Sequence, residues 1–314
     1  MQYTKFKEII LDGFRPINID NTNNDGHGHT LSVKIVVPCY CQAHCPFCFN
    51  NQTINTQQHN WDGFITNISN SLKVLFNNIN NRRISLDITG NEPTFNTQQF
   101  KSLMNLLRTF KEVYVYGQKI DKIVLTTNGF HLYECIPYMR NVVDIVNISL
   151  HHYDYKTRQD IFKTKYIPSN NDLKIIIQNL NNIGISVTSV AVIYTNVNMI
   201  DFVNSFALFS KEIGFKDARI RVNFTTNNPF IRNLFYTKFE NEKVCEQKGL
   251  ATKYLMIDNY NVNIYLGVTD LIDYVVGVEM VIDDDGKLYV DYNKRYPVDV
   301  DYLNDFNKYI FVNE

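Results

Sequence analysis

The chain has 314 residues, 45% of them hydrophobic and 20% charged, and a formal net charge of −1. That length buries roughly three quarters of the unfolded surface, enough for one large barrel or two modest domains. The near-zero charge argues against an extended nucleic-acid surface, and no apolar run approaches the roughly 20 residues that span a bilayer. With nothing like a signal peptide in Met1-Gln2-Tyr3-Thr4-Lys5, the expectation is a cytoplasmic protein with no membrane partner.

Residues 1–30 read as an N-terminal extension ending in Asp20-Asn21-Thr22-Asn23-Asn24-Asp25-Gly26-His27-Gly28-His29, which has no apolar period. His27 and His29 sit in a Gly/Asn loop, where histidines are more often solvated than metal-bound. The β-branched, alternating run from Leu31 to Val37 predicts a strand, closed by Pro38. It delivers Cys39-Tyr40-Cys41-Gln42-Ala43-His44-Cys45-Pro46-Phe47-Cys48, which holds four of the six cysteines. A cytosolic setting keeps thiols reduced, so such a cluster points to metal ligation rather than disulfides. The spacing Cys41-x3-Cys45-x2-Cys48 lets a tight loop wrap three thiolates around one corner of a metal cluster, leaving one iron site free for a small molecule. The remaining Cys135 and Cys245 stand alone and read as ordinary thiols.

Phe64, Ile65, Ile68, Leu72, Leu75, Phe76 and Ile79 recur at helical spacing. Ile84–Thr89 is a second strand, followed by Gly90-Asn91-Glu92-Pro93-Thr94, and Phe100, Leu103, Met104, Leu107 and Phe110 mark the next helix. Ile123–Thr127 is a third strand ending in Asn128-Gly129, a short helix runs from about His131 to Arg140, and Val143–Leu150 is a fourth strand ending in His151-His152. Ser169-x-x-Asp172 is a capping signal for a helix carrying Leu173, Ile176, Ile177 and Leu180, which Gly184 stops. Val187–Tyr194 is strand five, Ile200 to Ile213 a helix, and Ala218–Phe224 strand six.

Six strand–helix units imply parallel pairing through right-handed crossovers, with helices on the outer face. Six do not complete the eight of a closed barrel, so the expected fold is α/β: a partial (β/α)6 TIM-like barrel over residues 31–225. Residues 226–314 form a C-terminal α+β extension, with a helix over about Leu234–Lys248, paired strands at Tyr254–Ile257 and Val262–Leu266, and a hairpin around Asp283-Asp284-Asp285-Gly286. This extension is expected against the open side or floor of the barrel. Each special loop follows the C-terminal end of a strand, which is the active-site edge of such sheets.

The Cys41-x3-Cys45-x2-Cys48 loop, with Phe47 before the last cysteine, resembles that of the radical S-adenosylmethionine (radical SAM) superfamily, and Gly90-Asn91-Glu92-Pro93 is similar to its Gly-Gly-Glu-Pro element. The resemblance covers about Leu31 to Phe224. It implies that Cys41, Cys45 and Cys48 hold a 4Fe-4S cluster whose fourth iron takes S-adenosylmethionine, and that an electron from a donor such as flavodoxin or ferredoxin cleaves this cofactor to a 5'-deoxyadenosyl radical. The radical would abstract hydrogen from a small-molecule, nucleotide or peptide substrate. The resemblance further implies that Phe47 packs beside the adenine, that Gly90 and Asn91 present backbone to the amino group with Glu92 as electrostatic partner, and that Ser149 meets ribose or carboxylate. Thr127 and Asn128 are expected at the same mouth. Asn91 stands where the family has a second glycine, so its side chain crowds a position that is otherwise bare.

Of the adjacent pair His151-His152 at most one side chain enters the barrel; His151, two residues after Ser149, is the candidate contact. Arg219 and Arg221 share a face of strand six and suit either an anionic substrate or a solvated surface, while Lys156 and Arg158 read as surface charge. Glu92 has a second reading as a cap for the helix that follows it. The pattern is most like the branch containing the molybdenum-cofactor cyclase and peptide-modifying enzymes, but the C-terminal region has only Cys245, which argues against an auxiliary cluster. A different class, a zinc- or cluster-binding adaptor in which Cys39 joins the other three thiols in a closed tetrad, is the alternative.

Overall fold

The computed structural model describes residues 30–48, 60–79, 83–115, 120–195, 197–223, 242–243, 252–267, 279–289, 297–298, 300–301 and 303. The expectations for His27, His29 and Cys245 lie outside them, as do all but one residue of the N-terminal extension.

Strands and helices alternate as the periodicity predicts. β1 (Thr30–Val37) leads to α1 (Trp61–Asn78), β2 (Arg83–Gly90) to α2 (Thr97–Val115), β3 (Ile120–Thr127) to α3 (Leu132–Met139) and β4 (Ile145–Ser149) to α4 (Tyr155–Phe162) and α5 (Asn170–Asn182). β5 (Ser186–Ile193), α6 (Met199–Ile213) and β6 (Asp217–Asn223) complete the six units. β1 to β6 pair in chain order, all parallel. The reciprocal capping box of Ser169 and Asp172 starts α5, and Gly214 at φ 103° ends α6.

Strand alternation decides the architecture. Leu31, Val33 and Ile35 of β1, Leu86 and Ile88 of β2 and Ile123 and Leu125 of β3 join one core with α1, α2, α3, α5 and α6. The opposite face carries the polar residues Lys34 and Asp87, which form an ion pair, with Asn147, Thr188 and Arg219 further across the sheet. Helices on one face and a polar second face distinguish a barrel-type sheet from a doubly wound one. The sheet does not close on itself among the described strands, as six units require.

Among the described residues, the C-terminal strands continue the same sheet at both edges, which are the open side of the partial barrel. β8 (Thr252–Ile257) and β9 (Tyr260–Gly267) form an antiparallel hairpin whose β9 pairs parallel with β6. β10 (Glu279–Ile282) pairs parallel with β1 and antiparallel with β11 (Leu288–Tyr289). The helix expected over Leu234–Lys248 is interrupted: Glu242–Lys243 is a short strand, β7, paired antiparallel with β8, and the rest of that span lies outside the described residues. The β10–β11 turn docks on α1, where Asn67 Nδ2 donates to Asp285 O at 2.8 Å and Ser71 Oγ to Gly286 O at 2.9 Å. A Cβ on Gly286 would lie 2.6 Å from Phe64 O, so only glycine allows this approach.

Candidate active site

The cysteine loop leaves β1 and divides its thiols. Cys39 is buried in the helical core, where its Sγ donates to Gln99 Oε1 at 3.6 Å. Cys41, Cys45 and Cys48 belong instead to a second apolar group with Ala43, Phe47, Phe130, Phe162 and Ile167. All described cysteines are free thiols. Among the described residues no three His, Cys, Asp or Glu side chains are gathered tightly enough for a single metal ion. What opposes the closed zinc tetrad is the place of Cys39 in the helical core, apart from the other three thiols. Two backbone bonds shape the loop: Cys48 N to Cys45 O at 3.1 Å, and His44 N to Phe162 O at 2.9 Å, which ties it to the end of α4.

Burial first, then the neighbouring thiols Cys48 and Cys41, push Cys45 up to about 12, and burial pushes Cys41 up to about 11. Such thiols give up their protons only to a metal that repays the charge. The donor set therefore fits an iron–sulfur cluster: three reduced sulfurs, buried at Cys45 and partly buried at Cys41 and Cys48, in an apolar wall.

The second loop turns at Gly90, whose φ is 115°. A Cβ there would lie 2.6 Å from Val37 N and 2.8 Å from Val37 O. The special conformation falls on Gly90 alone. Asn91 is not among the residues with positive φ, so an asparagine in place of the second glycine costs this turn nothing.

Glu92 is 1% exposed and does not cap α2. Asn96 does, its Oδ1 accepting from Gln98 N at 3.0 Å and Gln99 N at 3.1 Å. The Glu92 carboxylate instead accepts four hydrogen bonds, from Thr94 N at 2.9 Å, Thr94 Oγ1 at 2.5 Å, Thr127 Oγ1 at 2.6 Å and Asn128 N at 2.7 Å. Burial pushes its pKa up and these donors pull it back; the two backbone N–H groups among them can only donate, which favours the ionised form. It staples the end of β2 to the end of β3. Thr127, expected at the mouth, is 2% exposed and turned to this staple. Asn128, the next residue, faces the other way and donates through Nδ2 to Cys41 Sγ at 3.7 Å.

Ser149 ends β4 on the polar face, opposite the core residues Val146 and Ile148. His151 follows with φ 65°, a left-handed conformation that costs a non-glycine residue on the order of 1–3 kcal/mol. It is 7% exposed, and its Nδ1 has no partner. Burial, then Arg221, push its pKa down to about 3, so the ring is neutral. Its ring lies 4.8 Å from that of Phe47 and 5.2 Å from that of Phe162. Phe47 also meets Tyr194, at 4.5 Å. Tyr194 was not singled out from sequence, although it follows β5 as the other loops follow their strands. The strained, buried His151 with its unpartnered Nδ1 against Phe47 and Phe162, and the buried, unpartnered amide of Gln42 in the cysteine loop, are polar groups open to a ligand.

Arg158 corrects the surface reading: it is 1% exposed. Its guanidinium donates to Asn170 Oδ1 and stacks 5.4 Å from the rings of Tyr155 and Phe209.

Comparisons with known proteins give the family and the fold. The profile of the Radical SAM superfamily matches residues 35–209, more than half of the chain. No curated protein sequence matches. SuiB of Streptococcus suis superposes with a TM-score of 0.56 at 15% identity, over 90% of this chain and 66% of that one. SuiB bound to its precursor peptide SuiA gives 0.57 at 17%, over 91% and 67%. The structure of anSMEcpe with bound AdoMet and the Cp18Cys peptide gives 0.55 at 15%, over 90% and 80%. This chain therefore spans about two thirds of the length of SuiB, and at such identities the likeness speaks for the fold alone. The chain belongs to the radical SAM superfamily. That superfamily is one of enzymes whose cofactors are a 4Fe-4S cluster and S-adenosylmethionine. No helix among the described residues is long and apolar enough to cross a membrane.

Proposed function

We propose that Cys41, Cys45 and Cys48 hold the cluster and that the rim around them binds S-adenosylmethionine. Phe47, backed by Tyr194, packs beside the adenine, the backbone of Gly90 and Asn91 receives the amino group, and Ser149 and His151 meet the ribose or carboxylate. Glu92, Thr127 and Asn128 hold the loops that do this. When bound, the cluster supplies the electron that cleaves the sulfonium, and the resulting 5'-deoxyadenosyl radical abstracts hydrogen from an organic substrate. The chain's own part is to bind, orient and exclude water, since a primary alkyl radical is quenched by stray donors.

The substrate lies on the polar face of the sheet. Arg219 and Arg221 share that face, Arg219 Nε is buried without a partner, and neither side chain has an ion pair among the described residues; they receive an anionic group. The peptide complexes of SuiB and anSMEcpe support a peptide substrate, as does the pattern of the peptide-modifying branch; a small molecule or nucleotide is the alternative. A flavodoxin or ferredoxin supplies the electron. In this reading residues 31–225 carry the site and residues 226–314 complete the sheet edges.

The observation that carries the reading is the grouping of Cys41, Cys45 and Cys48 in one apolar cluster, apart from Cys39. Anaerobic reconstitution should give about four irons per chain, and reduction with S-adenosylmethionine should release 5'-deoxyadenosine. Stoichiometric zinc with no iron, or a Cys45→Ala protein that keeps both cluster and product, would sink it.

A further inference from the structure

Asn128, one of the residues expected at the cofactor, reaches a cysteine sulfur with its side-chain amide. Its Nδ2 lies 3.7 Å from Cys41 Sγ. Asparagine oxygen and nitrogen are told apart by their partners, and here the partners leave no choice. Oδ1 accepts from Phe130 N at 3.0 Å, an Asx turn that commits the oxygen to the backbone two residues on. The amide nitrogen must then face the sulfur.

Asn128 is also fixed from behind. Its backbone N–H donates to Glu92 Oε2 at 2.7 Å, while Thr127 Oγ1 donates to the other Glu92 oxygen at 2.6 Å and accepts from Gly129 N at 3.0 Å. With Asn128 only 7% exposed, water does not compete for its amide, and a hydrogen bond to sulfur gains strength in such surroundings. The chain of contacts runs from Glu92 through Asn128 to Cys41.

Resting on the proposal that Cys41 is a cluster ligand, we infer that Asn128 is a positioning residue for it, and that its N–H···S hydrogen bond raises the cluster's reduction potential. Donors to a ligating sulfur favour the more negative, reduced cluster. Glu92 is the support that keeps the donor aimed. The strand-end sequence Thr127-Asn128-Gly129 thus does two jobs with adjacent residues, one tied inward to the staple and one outward to the sulfur.

The test uses the full-length, anaerobically reconstituted chain. Asn128→Ala removes both amide atoms; Asn128→Ser keeps a short acceptor for the turn but cannot reach Cys41. Both are titrated with dithionite and followed by electron paramagnetic resonance. The expected result is full iron content and a reduced-to-oxidised ratio at fixed potential lower by about tenfold in both variants, which for one electron is about 59 mV. A serine variant with full iron and an unshifted potential overturns the inference. Against the chance that either variant loses its cluster, the wild-type chain labelled with 15N in the asparagine side chains provides a second reading. The reduced cluster should couple to one amide 15N and its exchangeable proton, and their absence overturns the inference as well. If the wild-type chain holds no 4Fe-4S cluster, the proposed function fails first; if it cleaves S-adenosylmethionine but the two measurements fail, only this inference falls.

Discussion

Replacing Glu92 with glutamine tests whether the β2–β3 staple needs a charge. One carboxylate oxygen accepts three hydrogen bonds and the other accepts one, from Asn128 N. Glutamine keeps the shape, and its best pose leaves the carbonyl with the three donors. The amide NH2 then faces the Asn128 N–H, donor against donor. One charge-assisted bond worth about 1.5–3 kcal/mol is lost and the others weaken, offset in part by no longer burying a charge. We expect a net loss of about 2–4 kcal/mol. At about 2 °C per kcal/mol for a chain of this size, Tm should fall by about 4–8 °C. The assay is thermal unfolding by circular dichroism on cluster-free chain at pH 7. If Glu92→Gln melts within about 1 °C of wild type, the native carboxyl is neutral and the reasoning from four donors is wrong.

Gly90→Ala should cost more than an ordinary surface change, on the order of 3 kcal/mol, because φ is 115° and the new Cβ meets the Val37 backbone at 2.6 Å; urea unfolding with a loss below about 1 kcal/mol would contradict this. His151 stays neutral in the fold while the unfolded chain takes up a proton near pH 6.5. Its folded pKa is depressed, so stability is fully present above pH 6.5 and declines as pH falls towards 3, by up to about 1.4 kcal/mol per pH unit; His151→Phe should flatten that decline in urea titrations between pH 6.5 and 5. Arg158→Met should be neutral or stabilising by about 1 kcal/mol, since it removes a desolvated cation that has no carboxylate within ion-pair distance among the described residues, whereas Arg158→Ala should lose about 2–4 kcal/mol by leaving a cavity. Cys39→Ser should keep the wild-type iron content, and a loss of half the iron would return Cys39 to the ligand set.

The six units were legible because their helices and strands carry different periods over long runs, and the site because its loops follow strand ends. What escaped was non-local or finer than a period. Nothing in Tyr260–Gly267 says that it pairs parallel with β6, or in Glu279–Ile282 that it pairs parallel with β1; edge strands find partners by register and reach. The turn between β8 and β9 did leave a signal: Asp258 and Asn259 have φ of 48° and 59°, a pairing those residue types favour in tight hairpins. Arg158 was misread because a short helix, Tyr155–Phe162, is too brief for its buried stripe to stand out from its charges. Alternation alone could have separated Thr127 from Asn128, since neighbours on a strand face opposite ways.

That alternation also orders the rim as a whole. At the end of β1, Cys39 turns into the helical core and Cys41 towards the cluster group. At the end of β3, Thr127 turns to the buried carboxylate and Asn128 to Cys41. At the end of β4, Ile148 joins the core and Ser149 the polar face. Each strand end spends one residue on anchorage and a near neighbour on the ligand side, so the site inherits its rigidity from the same packing that holds the helices. An anchoring change such as Glu92→Gln should therefore reach the cluster through Asn128. The reduction potential of that variant, already tested for stability, should move in the same direction as that of Asn128→Ser and by a smaller amount; a shift of opposite sign would mean that the carboxylate's own charge, rather than the donor it aims, governs the cluster.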